Sequence, residues 1–145
     1  MRGYFGIAFY EPKFIVNIGT AVRSAKCFGA SFIAVIGGRY KHEPTDAMRA
    51  DRHIPIFEYE TMQDFIDNIP INCEVVSVEV DGTPIETYTH PERVIYLFGG
   101  EDKTLPTIKG DRVRIDTDRC LNMSVSASIV MYDRNLKCKL KGIEK

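Results

Sequence analysis

Residues 3–36, GYFGIAFYEPKFIVNIGTAVRSAKCFGASFIAVI, carry the reading that decides the fold class. GYFGIAFY (3–10) is a short apolar run bounded by a polar loop with Glu11 and Pro12, which suits a buried strand. Asn17 is a good N-cap, Val22, Ala25 and Phe28 then fall at helical spacing, and Gly29 supplies a stop, so the pattern predicts a helix over 18–28. FIAVI (32–36) is a second buried strand, closed by Gly37-Gly38. Strand, helix and strand in such close succession are the unit of a parallel sheet.

The same alternation continues outward. Residues 39–52 are polar and charged and read as loop with one short helical turn; 54–57 reads as a weak strand. Thr61 caps an amphipathic helix in which Met62, Phe65, Ile66 and Ile69 repeat until Pro70. EVVSVEV (74–80), VIYLF (94–98) and 113–115 complete the strands, with a turn expected at Asp81-Gly82. From Asn122 onward a long helix carries Val125, Ile129 and Tyr132 on one stripe and leaves through a basic exit. The expected architecture is α/β, a mostly parallel sheet flanked by helices, in a single domain over 1–145.

Composition fits that reading. The chain has 145 residues, 44% hydrophobic and 27% charged, which excludes collagen-like, disordered and disulfide-dense classes. No apolar run has the length of a membrane span, and residues 1–10 lack the apolar core of a secretory signal, so a cytoplasmic protein is expected. Cys27, Cys73, Cys120 and Cys138 form no CxxC pair and share no ligand spacing with His42, His53 and His90; no metal site is expected, and Cys27 and Cys73 are expected as reduced core residues. The net charge of −1 conceals blocks: residues 1–57 carry +4, 58–102 carry −10 and 103–145 carry +5. Should the two chain ends meet, a basic face suited to a polyanion results; a well-mixed solvated surface is the alternative, and charge alone does not choose.

Ligands of parallel sheets bind outside the carboxyl ends of strands, and three segments put small or polar residues there. In NIGTAVRSAKCFG (17–29), Gly19 costs helix stability and so suggests a close approach, while Arg23 shares a face with Thr20. A guanidinium in that position binds phosphate or carboxylate, although by residue type alone a salt bridge to a surface acid is commoner. Gly99-Gly100-Glu101 follows directly on VIYLF, where the main chain can approach a flat ligand; Glu101 reads as a positioned carboxylate or a plain loop acid. In LNMSVS (121–126), Asn122 reads as an N-cap, and capping also accounts for Ser124. Neither GxGxxG, nor a P-loop lysine, nor a GxSxG elbow is present, which removes the dinucleotide, P-loop and α/β-hydrolase readings.

Together the three segments resemble the motifs of the SpoU/TrmH branch of the SPOUT RNA methyltransferases: NxGxxxRxxxxFG from Asn17 to Gly29, a strand followed by FGxE at Phe98, Gly99 and Glu101, and LN with small residues at Leu121 to Ala127. The resemblance covers nearly the whole chain. It implies a C-terminal trefoil knot, a homodimer, S-adenosylmethionine (SAM) held bent in the knot, and methyl transfer to a ribose 2′-hydroxyl of RNA, with tRNA favoured for so small a member. It places Val78, Gly99, Ile115, Cys120 and Leu121 at the cofactor, and Asn17, Arg23, Glu101, Asn122 and Ser124 at the functional polar positions. Thr104, Asp116 and Cys120 depart from the family pattern, where a glycine, a proline and a hydroxyl are usual. An arginine stays protonated, so holding an RNA phosphate or the developing alkoxide is the first role for Arg23, and proton removal the second. The departures keep a catalytically silent knotted RNA-binding or assembly protein as the competing reading, with a nucleotide-binding α/β domain behind it.

Overall fold

The computed structural model describes residues 3–12, 15–38, 53–99, 105–119 and 121–144. Six strands, β1 (Tyr4–Tyr10), β2 (Phe32–Ile36), β3 (Ile56–Tyr59), β4 (Glu74–Pro84), β5 (Arg93–Gly99) and β6 (Arg112–Arg114), form one sheet in the order β3-β2-β1-β5-β4-β6. Every described pairing is parallel. The inner strands β1, β2 and β5 are buried on both faces, which is why their sequences read as continuous apolar runs rather than alternating ones.

Helices α1 (Ile15–Phe28) and α3 (Met123–Glu144) cover one face, and α2 (Met62–Asp67) the other. The first layer packs Phe5, Ile7, Phe9, Ile33, Val35, Tyr96 and Phe98 against Ile18, Val22 and Ala25 of α1 and Ala127, Val130 and Met131 of α3. The second packs Ala8, Ala34, Ile36, Ile95 and Leu97 against Phe65 of α2 and Leu105. Strand alternation assigns these sets: odd positions of β1 face one layer and Ala8 the other. Thr61 caps α2 as expected, its Oγ1 accepting the Asp64 backbone N–H at 3.1 Å.

Several expectations need correction. Helix α1 begins at Ile15, so Asn17 is its third residue and not its cap; the cap preference, about 1 kcal/mol, is small enough for the surrounding structure to override. Its other end is as expected: Gly29 has φ +88°, its N–H reaches the Lys26 carbonyl and the Ala30 N–H the Ala25 carbonyl, the paired bonds of a left-handed C-terminal stop. Cys27 is exposed, because the buried stripe of α1 runs through Ile18, Ala21, Val22 and Ala25 and turns residue 27 outward; Cys73 is half-buried.

The expected turn at Asp81-Gly82 lies inside β4. Val78 and Thr83 both pair with Val113, so residues 79–82 bulge out of the ladder between them. A Cβ on Gly82 would lie 2.5 Å from the backbone of Val113, which leaves room for glycine alone. The stripe Val125, Ile129, Tyr132 on α3 faces outward; the buried stripe is Met123, Ala127, Val130, Met131 and Arg134, so α3 is apolar on two sides. The polar segment 39–52 lies outside the described residues.

Candidate functional site

Strand register brings the expected cofactor positions to one edge. Gly99 pairs with Tyr10, Val78 with Phe98 on one side and Val113 on the other, and Ile115 stands just past the end of β6. Gly99 ends β5, Val78 is the last residue of β4 paired with β5 before the 79–82 bulge, and Ile115 follows β6, so the three lie at the carboxyl end of the β5–β4–β6 pairing. Val78 and Ile115 are half-buried and pack against the core layer beneath the helices, and Leu121 is half-buried where the chain turns into α3.

Asn122 opens α3. Its Oδ1 accepts the backbone N–H of Ser124 at 2.8 Å and of Val125 at 3.2 Å, and its carbonyl accepts the Ser126 N–H at 2.9 Å. The expected cap is thus formed, and it fixes the helix N-terminus at the sheet edge. Ser124 is buried, and its carbonyl accepts the Ser128 hydroxyl at 3.0 Å.

Helix α1 meets α3 beside this point. An open groove of about 430 Å³ between them is lined by Thr20 and Phe28 of α1 and by Ser124, Val125, Ser128, Ile129 and Tyr132 of α3. The face of α1 that carries Thr20 is joined there to the first turn of α3, and Arg23 stands exposed one helical turn beyond Thr20. Gly19 is buried.

Not every expected residue can be placed. Glu101, Cys120, Gly100 and Thr104 lie outside the described residues, as does the side chain of Asn17. Asp116 is exposed and accepts from Arg114 Nε at 2.8 Å. Among the described residues, no group of three or more His, Cys, Asp and Glu side chains is disposed to hold a metal ion, and no helix is long and apolar enough to cross a membrane.

Sequence reasoning missed the bracing of the 79–82 bulge. Arg112 Nη1 lies 2.7 Å from Asp81 and 3.3 Å from Glu79, and Arg114 Nη1 donates to the Gly82 carbonyl at 2.7 Å. Burial pushes the Glu79 carboxyl above the usual carboxylate range against the lowering effect of Arg112. The signal was present: Arg-Val-Arg in a strand sends both guanidinium groups to one face and the valine to the other.

Comparison with known proteins finds the same fold elsewhere. The chain is similar in structure to an AdoMet-bound rRNA methyltransferase from Sinorhizobium meliloti, 24% identical over 94% of this chain and 57% of that one, with a TM-score of 0.80. It is similar also to the A. aeolicus TrmH/SpoU tRNA modifying enzyme, 14% identical over 97% of this chain and 78% of that one, TM-score 0.83. A third structure, described as giving insights into the 2-OH methylation of C/U34 on tRNA, is 18% identical over 94% of this chain and 97% of that one, TM-score 0.82. The chain spans little more than half the length of the S. meliloti protein. Among curated proteins, none matches by sequence. The SpoU rRNA Methylase family matches residues 4–132, which take in all three motif segments and all six strands. The chain belongs to the SpoU rRNA Methylase family.

Proposed function

We propose that the chain transfers a methyl group from SAM to a ribose 2′-hydroxyl of RNA, tRNA ahead of rRNA, as a cytoplasmic homodimer that needs no metal. The observation that carries this is the convergence of Val78, Gly99 and Ile115 on one sheet edge, with Leu121 and Asn122 leading from that region into α3 beside the Thr20 face of α1. The residues fit the cofactor: half-buried Val78, Ile115 and Leu121 offer an apolar lining for a flat base, and Gly99 leaves the main chain open to it. When bound, SAM supplies an electrophilic methyl on a positively charged sulfur.

The remaining work falls to the chain's own side chains. Arg23, exposed on α1, holds an RNA phosphate or the alkoxide that develops as the hydroxyl passes its proton to an RNA phosphate oxygen or to water. Asn122 and Ser124 set the helix N-terminus against the cofactor edge, and Asn17 and Glu101 complete the polar set. A trefoil knot in the segment leading to α3 belongs to the same proposal; the path from β5 to the outer edge at β6 and back to α1 as α3 is consistent with it.

The dimer is supported by the outer stripe of α3, where Val125, Tyr132, Leu136 and Leu140 are all exposed, continuous with the α1–α3 groove. The tRNA preference is supported by the neighbour matched along 97% of its length, which concerns tRNA. The test is incubation of the purified chain with methyl-labelled SAM and separated tRNA and rRNA, followed by mapping of the labelled ribose. Label in tRNA 2′-O-methyl nucleotides is the expected result. SAM binding with no incorporation into any RNA points to the silent RNA-binding reading, and sedimentation as a monomer at micromolar concentration removes the dimer.

A further inference from the structure

A buried polar cluster lies under the second half of α3, at the end of the sheet opposite the candidate site. The side chain of His90, in the segment before β5, is 3% exposed; its Nδ1 is 2.6 Å from the Tyr96 hydroxyl and its Nε2 2.7 Å from the Asp133 carboxylate of α3. Arg134, 1% exposed, donates through Nη1 to the Pro91 carbonyl and to the Tyr96 hydroxyl at 3.1 Å, and through Nη2 to the Glu92 carbonyl. Lys137 pairs with Asp133 at 2.8 Å and donates to the carbonyls of Ile85 and Tyr88.

Donor and acceptor roles then follow. The Asp133 carboxylate only accepts, so His90 Nε2 carries a hydrogen; a guanidinium only donates, so the Tyr96 oxygen accepts from Arg134, and in the neutral ring its single proton goes to the bare Nδ1. Nδ1 is therefore the acceptor, the ring hydrogen sits on Nε2, and it is donated to Asp133. In this neutral form both ring nitrogens are satisfied. A second proton, on Nδ1, would displace the Tyr96 hydrogen from its acceptor and place a positive ring between Arg134 and Lys137 in a buried site.

We propose that His90 is a pH-sensitive latch: as the neutral Nε2–H ring it fastens the second half of α3 to the segment before β5, and protonation releases that half of the helix. Each charged or titratable group that faces the ring among the described residues bears on the outcome. Tyr88, itself donating to Asp111 at 2.8 Å, packs edge-on against the ring at 5.3 Å; Tyr96 comes from β5; Asp133, Arg134 and Lys137 come from α3. Burial holds His90 below its ordinary value of 6.5, and Lys137 and Arg134 lower it further against the opposing effect of Asp133. The released ring binds its proton at 6.5 and the latched ring only at lower pH, so the released state takes up more protons and the latched state weakens as pH falls from 6.5 towards the latched value. Above 6.5 the latch is at full strength.

The test is imidazole nitrogen NMR with hydrogen-exchange protection on the full chain, stepped from about pH 7.5 to about pH 5, the range in which histidine switches. The expected results are an Nε2–H tautomer at neutral pH, a midpoint below 6.5, and protection of α3 amides 130–141 falling about tenfold per pH unit within the window. His90→Gln, which cannot titrate, loses that pH dependence. An Nδ1–H tautomer or cationic ring at neutral pH overturns the proposal, as does a midpoint at or above 6.5. The same pH dependence in His90→Gln would also overturn it; should that variant not fold, the ring measurements on the wild-type chain still decide.

Discussion

Asn135 of α3 donates through Nδ2 to the carbonyl of Phe28, the last residue of α1, at 3.0 Å across 107 positions of sequence. The Ala25 and Lys26 carbonyls are taken locally at the Gly29 stop, so α3 supplies the partner for a carbonyl that the helix end itself leaves open. This bond ties the end of α1 to α3, the two helices whose facing residues line the groove that joins Thr20 to Ser124. Asn135→Ala is expected to cost about 1 kcal/mol, the usual net worth of such a bond. Urea denaturation reads it; an unchanged midpoint at unchanged slope would show that the bond contributes nothing.

The fold was legible wherever one physical signal dominated. FIAVI is a strand at both ends as read, because an apolar run between a helix stop and two glycines leaves little else. The Gly29 stop and the Thr61 cap were legible because each is a local hydrogen-bond demand answered by one residue type. The start of α1 was not, since a cap preference competes with packing that sequence does not display. The bulge at 79–82 was hidden because its cause, contact of Gly82 with Val113, spans two strands that are remote in sequence. The outward stripe of α3 could be found but not oriented: periodicity shows that Val125, Ile129 and Tyr132 share a side, and only the position of α1 shows that the core takes the other.

Gly99 is the sharpest test of the cofactor edge. It ends β5 beside Val78, and the flat approach proposed there needs no Cβ in the way. Gly99→Val is expected to abolish SAM binding in calorimetry while leaving the thermal melt within a few degrees of the parent, since the substitution sits at a strand end outside the packed layers. Retained affinity would move the cofactor elsewhere.

Asn122 has an observed role as the cap of α3 and a proposed one toward RNA, which substitutions can separate. Its Oδ1 caps α3 by accepting from Ser124 and Val125, a task that aspartate performs equally well. Asn122→Asp is expected to keep stability, and Asn122→Ala to lose about 1 kcal/mol. Aspartate has no amide donor and carries a charge that repels RNA phosphate, so methyl transfer is expected to fall in both variants. Full activity in the aspartate variant would reduce Asn122 to a helix cap.

Arg23 decides the mechanism. It is exposed on α1, one turn beyond Thr20, and the packed layer beneath that helix is made by Ile18, Val22 and Ala25, so its removal is expected to leave the fold and SAM affinity nearly intact. Methyl transfer by Arg23→Ala is expected to fall about 100- to 1000-fold, the usual cost of losing a donor aimed at developing charge. Arg23→Lys keeps the charge but loses the planar two-donor fork, so single-turnover transfer by that variant separates simple attraction from bidentate holding. Activity near the parent's in the lysine variant would mean that charge suffices. Parent-like activity in the alanine variant would return Arg23 to an ordinary surface arginine, and loss of SAM binding would place it at the cofactor instead of the RNA.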